Sequence, residues 1–317
     1  MKIAILDDYQ DVALACADWA SLGAGADVQA LRDPLPTAPQ RAESLRDFDV
    51  IVAMRERTPF PASLLGALPR LRLLVTTGMR NNAIDLDACR ARGITVCGAP
   101  GAENAVNATA ELSWALLLGL FKNLCTENSN MRAGLWQTAM PVPLAGKRLG
   151  VVGLGKLGTA VAQVGRAFGM DVVAWSPNLT PQRAAAAGVT AVAKQTLFTT
   201  ADAVSIHLIL SDKTREVVDA AAIGAMKPSA FLVNTSRAGL VDQQALLQAL
   251  RDKRIAGAGL DVYPVEPLPA DDPLRALDNV LLTPHLGYVS TDNFRAFYGN
   301  ALAAIKAWKA GAPIRAL

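Results

Sequence analysis

Val151-Val152-Gly153-Leu154-Gly155-Lys156-Leu157-Gly158 is the stretch on which the fold of this chain turns. A short apolar strand signal over 149–152 runs into it, and an Ala/Val-rich helical stretch over 159–168 runs out of it. That is the strand–turn–helix context in which G-x-G-x-x-G cradles a dinucleotide. Gly153 permits the tight turn, Gly155 lets a pyrophosphate approach the backbone, and Gly158 lets the helix lie close on the strand. The helix N-terminus then presents free N–H groups to the anion.

An acid usually follows about 20 residues later, at the end of the second strand, to bind the ribose 2′-hydroxyl. That place falls in Ala174-Trp175-Ser176-Pro177-Asn178, which contains no acid, so Ser176 takes the position. Ser176, Asn178 and Thr180 offer hydrogen bonds to a 2′-phosphate and Arg183 offers a charge, but no arginine stands directly at the strand end. Both NAD and NADP stay open.

Outward from the glycines, strand signals recur at 171–175, 203–208, 231–234, 255–261 and 280–282, with helical stretches at 181–187 and 243–251. The N-terminal third has its own series. Strands are expected at 2–6, 28–31, 49–54, 71–76 and 94–97, and helices at 12–22 and 86–92. Strands alternating with helices imply βαβ units and parallel sheets. The expected class is α/β with two doubly wound parallel sheets. A single long apolar helix over 103–124 separates the two series, and a last helix at 294–309 is left over to return to the first unit.

Composition agrees with two packed cores. The chain has 317 residues, 51% hydrophobic and 19% charged, which excludes a disordered chain. A net charge of +3, with no run of like charges, predicts no nucleic-acid partner. Mean hydropathy is +0.25, so a membrane span must be considered. The most apolar stretch, 112–124, falls short of the ~20 residues a span needs, and Glu111 and Lys122 mark it. No membrane association is expected. The N-terminal apolar run ends at once in Asp7-Asp8 and reads as a strand, not an export signal, so a cytoplasmic location is expected. Cys16, Cys89, Cys97 and Cys125 form no CxxC pair; they read as buried thiols, and no metal is expected.

The only two histidines are His207 and His285. His285 follows the strand at 280–282, Arg237 the strand at 231–234, and Glu266 the strand at 255–261. Singly these read as a structural imidazole, a solvated charge and a surface acid. In open α/β sheets, however, ligands bind at the carboxyl ends of strands. There the three suit one reaction. An imidazole donates a proton to a carbonyl oxygen as hydride reaches the carbon. A carboxylate beside it favours its protonated form. A guanidinium clamps a substrate carboxylate with two prongs.

Motifs along nearly the whole chain resemble the D-isomer-specific 2-hydroxyacid dehydrogenase family. They are Thr76-Thr77-Gly78, Ile84-Asp85-Leu86, Ala110-Glu111-Leu112, the three glycines, Asn234-Thr235-Ser236-Arg237, Leu240-Val241-Asp242, Gly259-Leu260-Asp261-Val262, Glu266-Pro267 and Thr283-Pro284-His285. The resemblance implies a Rossmann NAD(P)-binding domain, 102–288, inserted into a flavodoxin-like substrate domain, 1–101 and 289–317. It implies transfer of a hydride between NAD(P)H and a small 2-oxo acid, with glyoxylate- or hydroxypyruvate-like substrates favoured. Arg237, Glu266 and His285 are the implied catalytic residues. Gly153, Gly155, Lys156, Leu157, Gly158, Ser176, Asn178, His207, Thr214, Thr235, Asp261 and Gly287 are the implied cofactor contacts. Gly78, Met79 and Arg80 are the implied substrate contacts. The long helix is implied to serve a homodimer, and the cleft between domains to close on substrate.

Three residues depart from the family pattern: Arg80 in place of a small residue, Ala238 in place of glycine, and Ser176 in place of an acid. Arg80 reads either as a second cation for a larger or dicarboxylic substrate or as a solvated charge. A nucleotide-sensing corepressor on the same fold is the alternative reading. Formate oxidation is disfavoured by Glu266, because that chemistry would call for Gln there. The chain ends without an appended domain of the amino-acid-sensing kind, so such control is not expected.

Overall fold

The computed structural model describes residues 1–317. It divides into two compact units, Met1–Ala105 with Ser290–Leu317, and Val106–Val289. Both carry parallel sheets.

In the first unit, β1 (Lys2–Ile5), β2 (Asp27–Ala30), β3 (Val50–Ala53), β4 (Leu73–Thr77) and β5 (Thr95–Ala99) lie in the order β2-β1-β3-β4-β5, every pair parallel. The interior strands β3 and β4 are buried along their whole length. That is why they read as unbroken apolar runs without alternation. The helix Thr291–Lys309 packs into this unit through Phe294, Phe297, Tyr298 and Ile305. The tail beyond it covers the open edge of β5: Gly98 N–H donates to Arg315 O at 2.8 Å, and Leu317 N–H to Val96 O at 3.0 Å. A covered edge cannot pair with another chain.

In the second unit, β6 (Arg148–Val152), β7 (Asp171–Trp175), β8 (Thr190–Ala191), β9 (Ala203–Ile206), β10 (Phe231–Asn234), β11 (Gly257–Leu260) and β12 (Val280–Leu282) take the order β12-β11-β10-β9-β6-β7-β8, again all parallel. Strand order reverses between β6 and β9, as in a Rossmann fold. The helix Ala105–Phe121 lays Trp114, Leu117, Leu120 and Phe121 on this core. Its Trp114 indole donates to Val161 O at 3.1 Å.

Three sequence expectations are corrected. The stretch 12–22 is not a helix; only Trp19–Leu22 forms a 3-10 turn. The buried Asp8 carboxylate accepts from Val12 N–H at 3.0 Å and Ala13 N–H at 3.1 Å, and Asp11 turns left-handed at φ 56°. A local side-chain acceptor has outcompeted the helix. The expected helix over 103–124 stops at Phe121, and Asn123, left-handed at φ 50°, starts a second one, Leu124–Arg132. Cys89 and Cys97 are buried as expected, but Cys125 on that second helix is exposed. No helix is long and apolar enough to cross a membrane.

Candidate active site

The glycine loop follows β6 directly. Gly153 has φ +101°, and a Cβ there would meet the His207 carbonyl at 2.8 Å. A Cβ on Gly158 would sit 1.9 Å from Gly153 O, so the helix Lys156–Ala167 can lie on the turn only without a side chain there. A Cβ on Gly155 would meet nothing within 4 Å, and Gly155 caps that helix without any side-chain hydrogen bond. The three glycines therefore divide their work as the motif requires. Two pack the turn, and the third leaves open the approach to the first-turn N–H groups, among them those of Lys156 and Leu157.

His207 follows β9, across the order reversal from Gly153. Its Nε2 lies 2.8 Å from Ser205 Oγ, while its Nδ1 is buried with no hydrogen-bond partner. Burial pushes the imidazole pKa down to about 3, so the ring is neutral. An open glycine, an uncapped helix end and an orphaned buried nitrogen meet at one turn. These residues fit a dinucleotide.

After β7, Ser176 O accepts from Leu179 N–H at 3.1 Å. Thr180 caps the helix Pro181–Ala186, and Arg183 Nη1 donates to Asn178 O at 3.3 Å. The guanidinium is thus folded back onto the loop that carries Ser176 and Asn178. Thr214 is absorbed by its own turn, its hydroxyl donating to Ile209 O at 2.7 Å. Thr235 Oγ1 lies 2.8 Å from Ser113 Oγ. Ser113 donates its one proton to Thr109 O at 2.9 Å, so Thr235 is the donor to Ser113.

Three strand ends carry the charged set. Asn234, 1% exposed at the end of β10, accepts from Ser236 N–H and donates to Arg237 O, each at 3.0 Å. Ser236 Oγ donates to Ile206 O at 2.8 Å, tying the Arg237 turn to β9. Beyond β11, the Tyr263 hydroxyl shares its one proton between Leu260 O at 2.8 Å and Thr283 O at 2.9 Å, and its N–H donates to Glu266 Oε1 at 2.9 Å. Glu266 Oε2 meets His285 Nδ1 at 2.6 Å. Burial alone would raise the Glu266 carboxyl. The His285 hydrogen bond and charge, the Tyr263 N–H and the Arg237 charge outweigh it and hold Glu266 below its ordinary pKa. Glu266 is ionised, His285 is its partner, and the Arg237 charge acts on Glu266.

His285 itself stands at φ 55°, an uncommon conformation for a side chain of its size. Asp261 holds the turn in place. One carboxylate oxygen accepts from Thr283 Oγ1 at 2.6 Å and Leu286 N–H at 2.7 Å, and the other from Gly287 N–H at 2.9 Å. Burial raises the Asp261 carboxyl despite these bonds. Thr109 donates to Gly287 O from the long helix. Asp261 and Gly287 are bound to each other in the clamp of the histidine turn. Sequence reasoning passed over Ser205, Asn234 and Tyr263 as supports. Tyr263 had a readable signal, since a buried phenol must find an acceptor. No group of three or more His, Cys, Asp or Glu side chains is placed to hold a metal ion.

In the first unit, Gly78 ends β4 with φ +93° and donates its N–H to Ala99 O at 2.5 Å. Met79 and Arg80 follow it, both exposed.

Residues 114–287 match the family model described as D-isomer specific 2-hydroxyacid dehydrogenase, NAD binding domain. The chain is 37% identical over 236 residues to a D-3-phosphoglycerate dehydrogenase of Mycobacterium leprae, covering 74% of this chain but 44% of that one. It therefore spans less than half the length of that relative. It is 35% identical over 254 residues to a glyoxylate reductase of Korarchaeum cryptofilum, covering 78% of this chain and 76% of the other. A crystal structure of a phosphoglycerate oxidoreductase from Vibrio cholerae superposes with a TM-score of 0.92 at 38% identity, covering 98% of this chain and 100% of that one.

Proposed function

The chain belongs to the D-isomer-specific 2-hydroxyacid dehydrogenase family, and from that premise we propose that it is an NAD(P)-dependent oxidoreductase that reduces a small 2-oxo acid to a D-2-hydroxy acid. The observation that carries the reading is the His285–Glu266 contact of 2.6 Å, with Arg237 helping to keep Glu266 ionised, at strand ends of the glycine-loop unit. Glu266 favours the charged imidazole, and His285 gives its proton to the carbonyl oxygen. Arg237 holds the substrate carboxylate with its guanidinium fork. Gly78 and Met79 are assigned to the same carboxylate through backbone N–H groups, and acids of glyoxylate or hydroxypyruvate size are the favoured substrates.

A bound nicotinamide cofactor supplies the hydride. Gly153, Gly155, Lys156, Leu157 and Gly158 are the residues that would hold its pyrophosphate, Ser176 and Asn178 its ribose, and His207, Thr235 and Asp261 the other side of the turn. With no acid at Ser176 and Arg183 folded over Asn178, the ribose loop accepts a 2′-phosphate. NADPH is therefore the cofactor we assign. A homodimer completes the reading.

The test is oxidation of NADH and NADPH with glyoxylate, hydroxypyruvate, pyruvate and a longer 2-oxo acid. Turnover of at least one acid, faster with NADPH, is the expected result. Cofactor binding by calorimetry with no turnover of any acid would overturn the reductase in favour of a nucleotide-sensing protein.

A further inference from the structure

The end of β5, Cys97-Gly98-Ala99, is held from both sides by residues distant in sequence. Successive residues of a strand turn their backbone groups to opposite edges. Ala99 turns inward and exchanges two bonds with the residue that follows β4. Gly78 N–H donates to Ala99 O at 2.5 Å, and Ala99 N–H donates to Gly78 O at 3.1 Å. Gly98 turns outward, and both of its groups meet one residue, Arg315. Gly98 N–H donates to Arg315 O at 2.8 Å, and Arg315 Nε donates to Gly98 O at 3.0 Å.

Arg315 is anchored on its far side too. Its Nη2 donates to Asn300 O at 2.7 Å in the helix Thr291–Lys309, and Asn300 Nδ2 donates to Pro100 O at 2.8 Å, just past β5. The guanidinium thus bridges two carbonyls, one on the strand and one on the helix, which its planar fork can do and a lysine cannot. The backbone of Arg315 is left-handed at φ 54°, an uncommon conformation for so large a side chain. Strain of this kind persists only where the surroundings enforce it. Gly98 is also where the strand touches the loop after β4. A Cβ there would fall 2.8 Å from Met79 Sδ and 3.0 Å from Gly78 O. The Met79 thioether fills the space that a side chain on Gly98 would take. Gly78 is therefore set on Ala99, Met79 on Gly98, and Gly98 on Arg315, all within the first unit.

We propose that Arg315 is a positioning residue for the Gly78–Met79 loop: by holding both backbone groups of Gly98 it fixes the strand end on which that loop is set. The proposal rests on the reading above that assigns Gly78 and Met79 to the substrate carboxylate. Arg315 acts through Gly98, not on the substrate itself.

The experiment measures KM for glyoxylate and hydroxypyruvate, kcat, NADPH affinity and hydrogen exchange in the wild type, Arg315→Met, Arg315→Lys and Gly98→Ala. A displaced loop loses binding common to the ground and transition states, which raises KM and leaves kcat in place. One hydrogen bond from a charged group is worth about tenfold. Arg315→Met should therefore raise KM by about tenfold, with kcat and NADPH affinity changed by less than about twofold. Arg315→Lys, which can reach one carbonyl but not both, should fall in between. Gly98→Ala presses on the loop from the strand side and should raise KM as well. Combined with Arg315→Met, its effect should fall short of the product of the two, because both act on one contact. Exchange at Gly78 and Ala99 should quicken in Arg315→Met while β1 and β3 keep their protection. A KM unmoved in Arg315→Met, even with a lowered melting temperature, overturns the inference while the reductase stands. So does a rise in KM with exchange at Gly78 and Ala99 unchanged. Should no acid turn over, the reductase reading falls, and exchange alone decides: faster exchange at Gly78 and Ala99 in Arg315→Met supports the positioning role, and unchanged exchange overturns it.

Discussion

The two sheets make the same topological move and arm it differently. At the β6/β9 reversal the ligand-facing chemistry is backbone and neutral: glycines, a helix N-terminus and a His207 that burial keeps uncharged. At the β1/β3 reversal it is side chain and charged, with Arg55 and Arg57 on the loop after β3. A backbone site reads shape and tolerates little change at each glycine. A guanidinium site reads charge and can be retuned by one substitution. One fold principle thus yields an uncharged backbone turn in one unit and a cationic loop in the other. The Glu266–His285 pair, to which we assign the acid–base chemistry, stands on strand ends beside the glycine loop of the first kind of unit.

If that division holds, the largest effect comes from removing the proton donor. His285→Ala should lower kcat by more than about 10²-fold, the usual scale of acid–base catalysis, while NADPH still binds. Stopped-flow turnover beside calorimetry checks both halves, and unchanged turnover would remove His285 from the chemistry. Arg237→Lys comes next. It keeps the charge and loses the fork, so kcat/KM should fall by about tenfold to a hundredfold. A variant close to wild type would mean that Arg237 acts only as a charge near Glu266.

Glu266→Gln sharpens the electrostatic side. Glu266 lies below its ordinary pKa, so it is ionised through neutrality and favours a protonated partner there. Glu266→Gln keeps an acceptor for His285 Nδ1 but removes the charge, and a charge-assisted hydrogen bond is worth more than a neutral one, so kcat for reduction should fall by about tenfold. Unchanged kcat would mean that Glu266 only positions the imidazole.

What could be read from sequence follows the same contrast. Interior parallel strands are contiguous apolar runs, so β3, β4, β9 and β10 announce themselves, as does the glycine loop. Glu266 and His285 were readable because family motifs mark them. The helix Ala38–Leu45 was not found by its apolar pattern, because it buries only Leu45; its signal is the Thr37/Gln40 capping box with Pro39 in the first turn. The stretch 12–22 misled because alanines favour helix while one buried carboxylate, Asp8, decides otherwise. The left-handed backbone at Arg55 had no sequence signal at all, because the groups that pin it, Thr77 and Asn81, lie more than 20 residues away along the chain. Local motifs are legible, whereas a conformation fixed by long-range contacts appears only in the fold.

The smallest expected effect tests how far the backbone-built site can be retuned. Ser176 ends the strand where a carboxylate would bind a ribose diol, and Arg183 is tied to Asn178 on the same loop. Ser176→Asp introduces a negative charge at the place of the 2′-phosphate. It should repel NADPH and accept the 2′-hydroxyl of NADH, lowering the NADPH/NADH ratio of kcat/KM by about tenfold, the scale of one charged hydrogen bond. Gly153, Gly155 and Gly158 are unaltered in this variant, so the pyrophosphate contacts are expected to persist and the summed activity to change less than the ratio. If the ratio does not fall, discrimination lies elsewhere on the loop, and Arg183→Ala becomes the variant that locates it. If it does fall, the cofactor unit is also retuned by one side chain. The contrast between the two reversals would then lie in what holds the ligand, not in whether its identity can be changed.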